Sequence, residues 1–200
     1  MIRIVGICGS LRPESYTRMA LNLALAGARE MGVETELIDL KDYQLDFCDG
    51  REDHGSYHGD VTKLCQKVKV AQGMILGTPE YHGGYSGVLK NALDLMGFEE
   101  FEGKMVGLVG VSGGAMGGLN ALNDLRTIGR VLHAWVIPEH AAVPHAWKVF
   151  NKDGTSKNEA MEKRLKEVGR QVARFASLHH SQQAMEFLKQ WEGAEENPGG

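Results

Sequence analysis

Short aliphatic and β-branched runs alternate along the chain with segments whose apolar residues recur every three or four positions, a pattern that predicts strands and helices in turn. Ile2–Ile7 ("IRIVGI"), Val33–Leu40 ("VETELIDL"), Gly73–Pro79 ("GMILGTP"), Lys104–Gly114 ("KMVGLVGVSGG") and the short "HAWVIP", His133–Pro138, read as strands. Helices are expected over about Tyr16–Met31, through Val61, Leu64, Cys65 and Val68, over about Tyr85–Met96 and over about Leu119–Leu132. Gly32 is a natural left-handed stop for the first of these. Met161, Leu165, Val168, Val172 and Phe175 carry the helical period into a last long helix. Five strands alternating with five helices specify an α/β fold, a doubly wound five-stranded parallel sheet with helices on both faces.

In such sheets ligands bind outside the carboxyl ends of the strands. That directs attention to the loops after the first, third and fourth strands: "CGSLRPES" (Cys8–Ser15), "TPEYHGGYSG" (Thr78–Gly87) and "VSGGAMGG" (Val111–Gly118). All three are rich in Gly and Ser.

The first loop runs into a helix N-terminus, where unpaired N–H groups and a partial positive charge receive anions. Ser10, Ser15 and Thr17 add hydroxyls, and Arg12 adds a fork that fits phosphate oxygens. A plain turn with Ser15 as helix cap is the simpler alternative, but four donors within eight residues favour a phosphate cradle. A phosphatase loop would separate its Cys from its Arg by five residues, whereas three separate Cys8 from Arg12. The G-x-G-x-x-G fingerprint of dinucleotide sites is absent from this loop. What remains is a monophosphate held passively.

Composition narrows the class further. Lys and Arg total 22 against 26 Asp and Glu, a net charge of −4 with no basic stripe, so no nucleic-acid partner is expected. Three cysteines without C-x-x-C spacing suit a reducing compartment. No run has the length and apolarity of a membrane span, and a cytoplasmic protein is expected. Residues 1–178 are expected to form one domain, followed by a polar tail, 179–200, with room for one more helix. The stretch "CDGREDHGSYHGD" gathers Cys48, Asp49, Asp53, His54, His58 and Asp60, but Gly55 and Gly59 break the helix that would align its histidines. A solvated loop is expected there and no metal site.

Taken together, "GSLRPES", "TPEYHGGYSGVLKNALDLMG" and "VSGG" make the chain, from about Arg3 to Phe175, resemble the NAD(P)H-dependent FMN reductases of flavodoxin-like fold, which include bacterial azobenzene and quinone reductases. The resemblance implies strand order 2-1-3-4-5 and bound FMN. It implies that Ser10, Arg12, Ser15 and Thr17, with the Tyr16 backbone, hold the FMN phosphate. Pro79, Glu80, Tyr81 and His82 would line the isoalloxazine ring, and Ser112, Gly113 and Gly114 its pyrimidine end. Gly83, Gly84, Gly113 and Gly114 would let backbone approach the ring closely. Two positions depart from many members of the family: His82 stands for Asn, and Ser86 for Pro. Tyr-His is commoner in the azobenzene-reductase-like branch.

The implied activity is transfer of reducing equivalents from NAD(P)H, with NADPH the favoured donor, through FMN to a quinone, azo compound or other small acceptor in ping-pong order. No side chain need act as nucleophile. A flavodoxin-type electron carrier without an NAD(P)H site is the alternative, though a carrier would show a strongly acidic docking face. Tyr85, Val88, Leu89, Ala92, Leu93, Leu95 and Met96 cover an arc of roughly 160° of their helix, more than the ~100° that one sheet needs. This surplus, with the family's habit, predicts a homodimer or homotetramer assembled through that helix.

Overall fold

The aliphatic runs form strands β1 (Arg3–Cys8), β2 (Glu34–Asp39), β3 (Gly73–Tyr81), β5 (Met105–Val111) and β6 (Trp135–Val143), with a two-residue strand β4 (Gly84–Tyr85) between the third and fourth of them. The computed structural model describes residues 1–51 and 56–193. The parallel strands stand in the order β2-β1-β3-β5-β6, while β4 pairs with β3 alone. The expected order holds for the parallel strands, and β4 adds a sixth strand that the sequence pattern did not predict. Registers such as Ile7↔Ile38, Ile7↔Leu76 and Leu76↔Leu108 align the carboxyl ends of β1, β3 and β5 along one edge.

Helices cover both faces. On one side lie α1 (Tyr16–Arg29) and α7 (Glu159–His179), on the other α2 (Gly59–Lys69), α3 (Gly87–Asp94) and α5 (Leu119–Val131). The short helices α4 (Phe98–Phe101) and α6 (Ala146–Val149) sit in connections, and α8 (Gln182–Glu192) occupies the tail where one helix had room. Leu21, Leu25, Leu165, Val168 and Val172 fill the first layer; Leu64, Val68, Leu89, Leu93, Leu122 and Leu125 fill the second. Burial of each such side chain contributes about 1.5–3 kcal/mol. Along α7, Leu165, Val168 and Val172 are wholly buried, with Met161 and Phe175 packed at the margin.

Backbones meet where α1 crosses α7. A Cβ added to Gly27 would stand 2.0 Å from the Lys166 carbonyl oxygen, and one added to Gly169 would stand 1.8 Å from that of Ala24. Only glycine fits at either position.

Some boundaries differ from expectation for local reasons. β3 continues past Pro79 to Tyr81 because β4 supplies a partner for its end, Glu80↔Tyr85 and Tyr81↔Gly84. Ser86 caps α3, so that helix begins at Gly87 and not at Tyr85; it ends at Asp94. β6 runs on through Pro138 to Val143, past the predicted end, because the strand lies at the sheet edge and its register shifts between Val106 and Leu108.

The helix expected to present surplus apolar surface does not do so. Asn91 donates to the Asp46 carbonyl at 2.9 Å and accepts from the Cys48 N–H at 2.9 Å, which lays the segment around residues 45–48 along α3. Tyr57, Val61 and Leu95 then close a small apolar cluster. The chain itself covers that face, leaving only Tyr85 and Val88 of the arc half-buried.

Candidate flavin site

The first loop is held by contacts that reach well outside it. Gly9 donates to the Gly77 carbonyl at 2.8 Å, continuing the β1–β3 pairing one step past the strand. Ser86 Oγ donates to the Gly9 carbonyl at 2.6 Å and accepts from the Leu89 N–H at 3.1 Å, while the Ser86 N–H donates to Thr78 Oγ1 at 3.0 Å. One side chain thus caps α3 and ties the second loop to the first. Proline in its place would lose all of these bonds.

Ser15 is the N-cap of α1, its Oγ accepting from the Arg18 N–H at 3.2 Å. Arg18 shapes the loop: its guanidinium pairs with Asp39 and donates to the carbonyls of Pro13 at 2.8 Å and Arg12 at 3.2 Å. Asp39 holds the Arg18 pKa above its ordinary value. With its backbone fixed in this way, Arg12 is exposed, and its guanidinium has no partner among the described residues. Ser10 and Thr17 are buried as residues, yet neither hydroxyl has a partner among the described residues. Cys8 is fully buried, and burial pushes its thiol pKa up, the opposite of a nucleophile's requirement.

In the second loop, His82 and Gly83 form the turn between β3 and β4, both with positive φ, 52° and 80°. Positive φ at both central residues marks a type I′ hairpin, for which Asn-Gly is the favoured pair. Asn would suit this backbone, and His tolerates the same left-handed conformation. Glu80 turns away to accept from the Ala121 N–H at 3.2 Å, capping the start of α5.

Ser112 Oγ in the third loop accepts from the Gly114 N–H at 3.0 Å. A Cβ on Gly113 would meet nothing within 4 Å, so the space beside that backbone is open. Gly117 and Gly118 (φ 66° and 91°) instead make the close approaches, to Ala142–Pro144 and to Gly110. The segment after β6 fastens this loop. His145 N–H donates to the Gly114 carbonyl at 3.1 Å, its Nδ1 lies 3.1 Å from the Gly113 carbonyl, and Ala146 N–H donates to the Ser112 carbonyl at 3.1 Å. Beyond α6, Phe150 stacks on Tyr16 with ring centroids 6.0 Å apart.

These loops enclose a cavity of about 360 Å³ lined by Ser10, Arg12, Glu14, Ser15, Tyr16, Thr17, Pro79, Glu80, Tyr81, Val111, Ser112, Gly113, Ala146 and Trp147. Most of the sequence-predicted residues converge there. His82, Gly83 and Gly114 lie outside the lining, in the turns that support it. Glu80 contributes to the wall although its carboxylate is engaged with α5. Glu14, Val111, Ala146 and Trp147 were not foreseen. A larger hollow of about 560 Å³ beside α2 and α4 is lined by Glu99 and Glu100 and carries no cation, which does not suit a phosphate.

Flavin mononucleotide fits this donor set. A dianionic phosphate suits two unpaired hydroxyls, a free guanidinium and the start of α1, while the exposed rings of Tyr81 and Trp147 suit a planar head group. Among the described residues no cluster of three potential metal ligands occurs. His58 caps α2 and Asp60 accepts from the Gln44 N–H at 2.8 Å; Asp53 and His54 lie outside the described residues.

Fold and site together define a flavodoxin-like flavoenzyme. Residues 2–148 match the family model for NADPH-dependent FMN reductase, and the chain belongs to that family of oxidoreductases, which work with FMN and NADPH. It is 33% identical over 176 residues to the NAD(P)H-dependent FAD/FMN reductase of Geobacillus thermodenitrificans, covering 86% of this chain and 90% of that one. It is 35% identical over 152 residues to the FMN-dependent NADPH-azoreductase of Staphylococcus aureus, covering 74% and 80%. Among solved structures, the flavoenzyme NAD(P)H:(acceptor) oxidoreductase FerB of Paracoccus denitrificans superposes with a TM-score of 0.72 over 90% of this chain and 99% of that one, at 22% identity. An archaeal flavodoxin superposes with a TM-score of 0.61 at 13% identity over 88% of this chain and 99% of that one, a likeness of fold alone.

Proposed function

We propose that the protein reduces small planar acceptors, quinones or azo compounds, with NADPH in two half-reactions that use one opening in turn. The observation that carries this reading is the cavity where, among the described residues, an unpaired guanidinium, the unpaired hydroxyls of Ser10 and Thr17 and two exposed aromatic rings converge. FMN, when bound, accepts and returns the hydride equivalent; the chain binds and orients it.

Ser10, Arg12, Ser15 and Thr17, with the Tyr16 N–H, neutralise and hold the phosphate. Pro79, Glu80, Tyr81, Ser112 and Gly113 flank the ring, while His82, Gly83 and Gly114 set the turns behind it. No side chain in the cavity is placed as a nucleophile, and none needs to be. A planar acceptor suits the opening because it can occupy the place that the nicotinamide leaves. A homodimer or homotetramer in the cytoplasm belongs to this reading only through the resemblance to the family, since the face of α3 that would have supported assembly is covered by the chain itself. No helix of the described residues is long and apolar enough to cross a membrane.

Initial rates measured across both substrates test the shared opening. Parallel double-reciprocal lines are expected, and intersecting lines would overturn it. The visible spectrum of purified protein should show flavin absorbance that NADPH bleaches under argon; a yellow protein indifferent to NADPH would point to an electron carrier.

A further inference from the structure

Trp147 lines the cavity from outside the three strand-end loops and from outside α1, the helix that follows the first of them. It sits on α6, and α6 is fastened at both ends to the site. Toward the third loop, the bonds from His145 and Ala146 reach the carbonyls of Ser112, Gly113 and Gly114. Toward the first, Phe150 is 2% exposed and stacks on Tyr16 at an interplanar angle of 17°. The short helix is a strap from the phosphate loop to the third loop, and Trp147 rides on it.

The indole is 56% exposed although it lines the cavity, and among the described residues no aromatic ring stacks on it. Among the described residues its ring contact is the Lys148 ammonium, 4.9 Å from the centroid. A large ring held on an anchored element, at the wall of a ligand cavity and without an apolar cover, is arranged to contact what enters.

We propose that Trp147 is a contact of the bound flavin, and that the α6 strap controls how long the flavin stays. This rests on the assignment of the cavity to FMN made above. Stacking or edge contact with the indole adds apolar area on the side that the Gly-rich loops leave thin. The strap couples that contact to the two loops, so that flavin departure requires Trp147 to move. Differences in affinity between variants of one site appear chiefly in dissociation.

The test is release of FMN from diluted holoprotein, followed by the rise in flavin fluorescence, for the wild type, Trp147→Ala, Trp147→Phe and Arg12→Ala. Trp147→Ala should release FMN about tenfold faster, the ratio that 1.4 kcal/mol represents. Trp147→Phe, which keeps an aromatic ring, should stay within about threefold of the wild type. The loss of indole emission on loading apoprotein with FMN should be smaller in Trp147→Phe than in the wild type. Wild-type release from Trp147→Ala beside fast release from Arg12→Ala would overturn the strap and leave the cavity assignment standing. Wild-type release from both would overturn the cavity assignment as well. A change in mass in solution for Trp147→Ala with release unaltered would make Trp147 a subunit contact and overturn the inference.

Discussion

Arg18, in the first turn of α1, pairs with Asp39, the last residue of β2, and with its remaining nitrogens bonds the carbonyls of Arg12 and Pro13. The guanidinium that shapes the first loop is therefore not the one that lines the cavity. Arg18 holds the arch, and Arg12 is left free on it.

Replacing Arg18 by Ala should destabilise the fold by about 2–3 kcal/mol, because the buried Asp39 carboxylate loses its counter-ion and, among the described residues, keeps only the Lys41 N–H as a donor. FMN should also bind more weakly, although Arg18 is absent from the cavity wall. Arg18→Lys can restore the ion pair but not the planar fork, and should recover only part of either loss. Urea unfolding and flavin release measure the two effects; an Arg18→Ala protein unaltered in both would refute the arch.

His82→Asn should leave stability unchanged or raise it by up to about 0.5 kcal/mol, since Asn-Gly is the favoured pair for this turn. His82→Val should cost about 1–2 kcal/mol, because a β-branched residue resists φ near 52°. Thermal unfolding of the pair checks this. Equal stability of the two variants would mean that the turn carries no strain.

A methyl group at Gly9 would lie 2.7 Å from Leu89 Cβ and 2.9 Å from Ser86 Oγ. Gly9→Ala should therefore push α3 away, weaken the Ser86 bridge and cost about 1–3 kcal/mol, as overpacking does. Gly113→Ala, where the added carbon meets no protein atom within 4 Å, should leave stability alone and weaken FMN binding by crowding the open space. Denaturant unfolding beside flavin titration separates the two. Destabilisation by Gly113→Ala matching that of Gly9→Ala would contradict the geometry.

Lys104 is buried, its ammonium bonding the Val68 and Lys69 carbonyls at 2.6 and 2.8 Å and so capping α2. Burial lowers its pKa from 10.5 to about 8. The unfolded chain then holds this proton more tightly, so the group penalises folding fully below pH 8. That penalty is relieved as pH rises toward 10.5. The stability of the wild type relative to Lys104→Met should accordingly rise by roughly 1–3 kcal/mol from pH 8 to pH 10.5. Urea unfolding at intervals across that range is the check, and a flat difference would place the ammonium in water.

The alternation of strand and helix, the loops at the carboxyl edge and the donors of the first loop were legible because each is local. Period, cap and hydroxyl content lie within a few neighbouring residues. What the pattern left out depends on distant partners. β4 has two residues and therefore no period to read. Ser86 begins α3 while bonding Gly9, far away in sequence. Arg18 finds Asp39 only after β1 and β2 pair. The apolar arc of α3 predicted a subunit contact, since nothing in the polar residues after β2 signals that Asp46 and Cys48 will bond Asn91 and bring their own segment over it. Trp147 sits on a helix of four residues, too short for any periodicity, and only the folded chain brings it to the cavity.

Where α1 and α7 touch glycine to backbone, neither helix has slack to slide or tilt. The N–H groups at the head of α1 are consequently held in place in advance, as the proposed phosphate site asks. Capture then demands ordering of little beyond the Arg12 side chain, and an empty pocket should already resemble a filled one in its main chain.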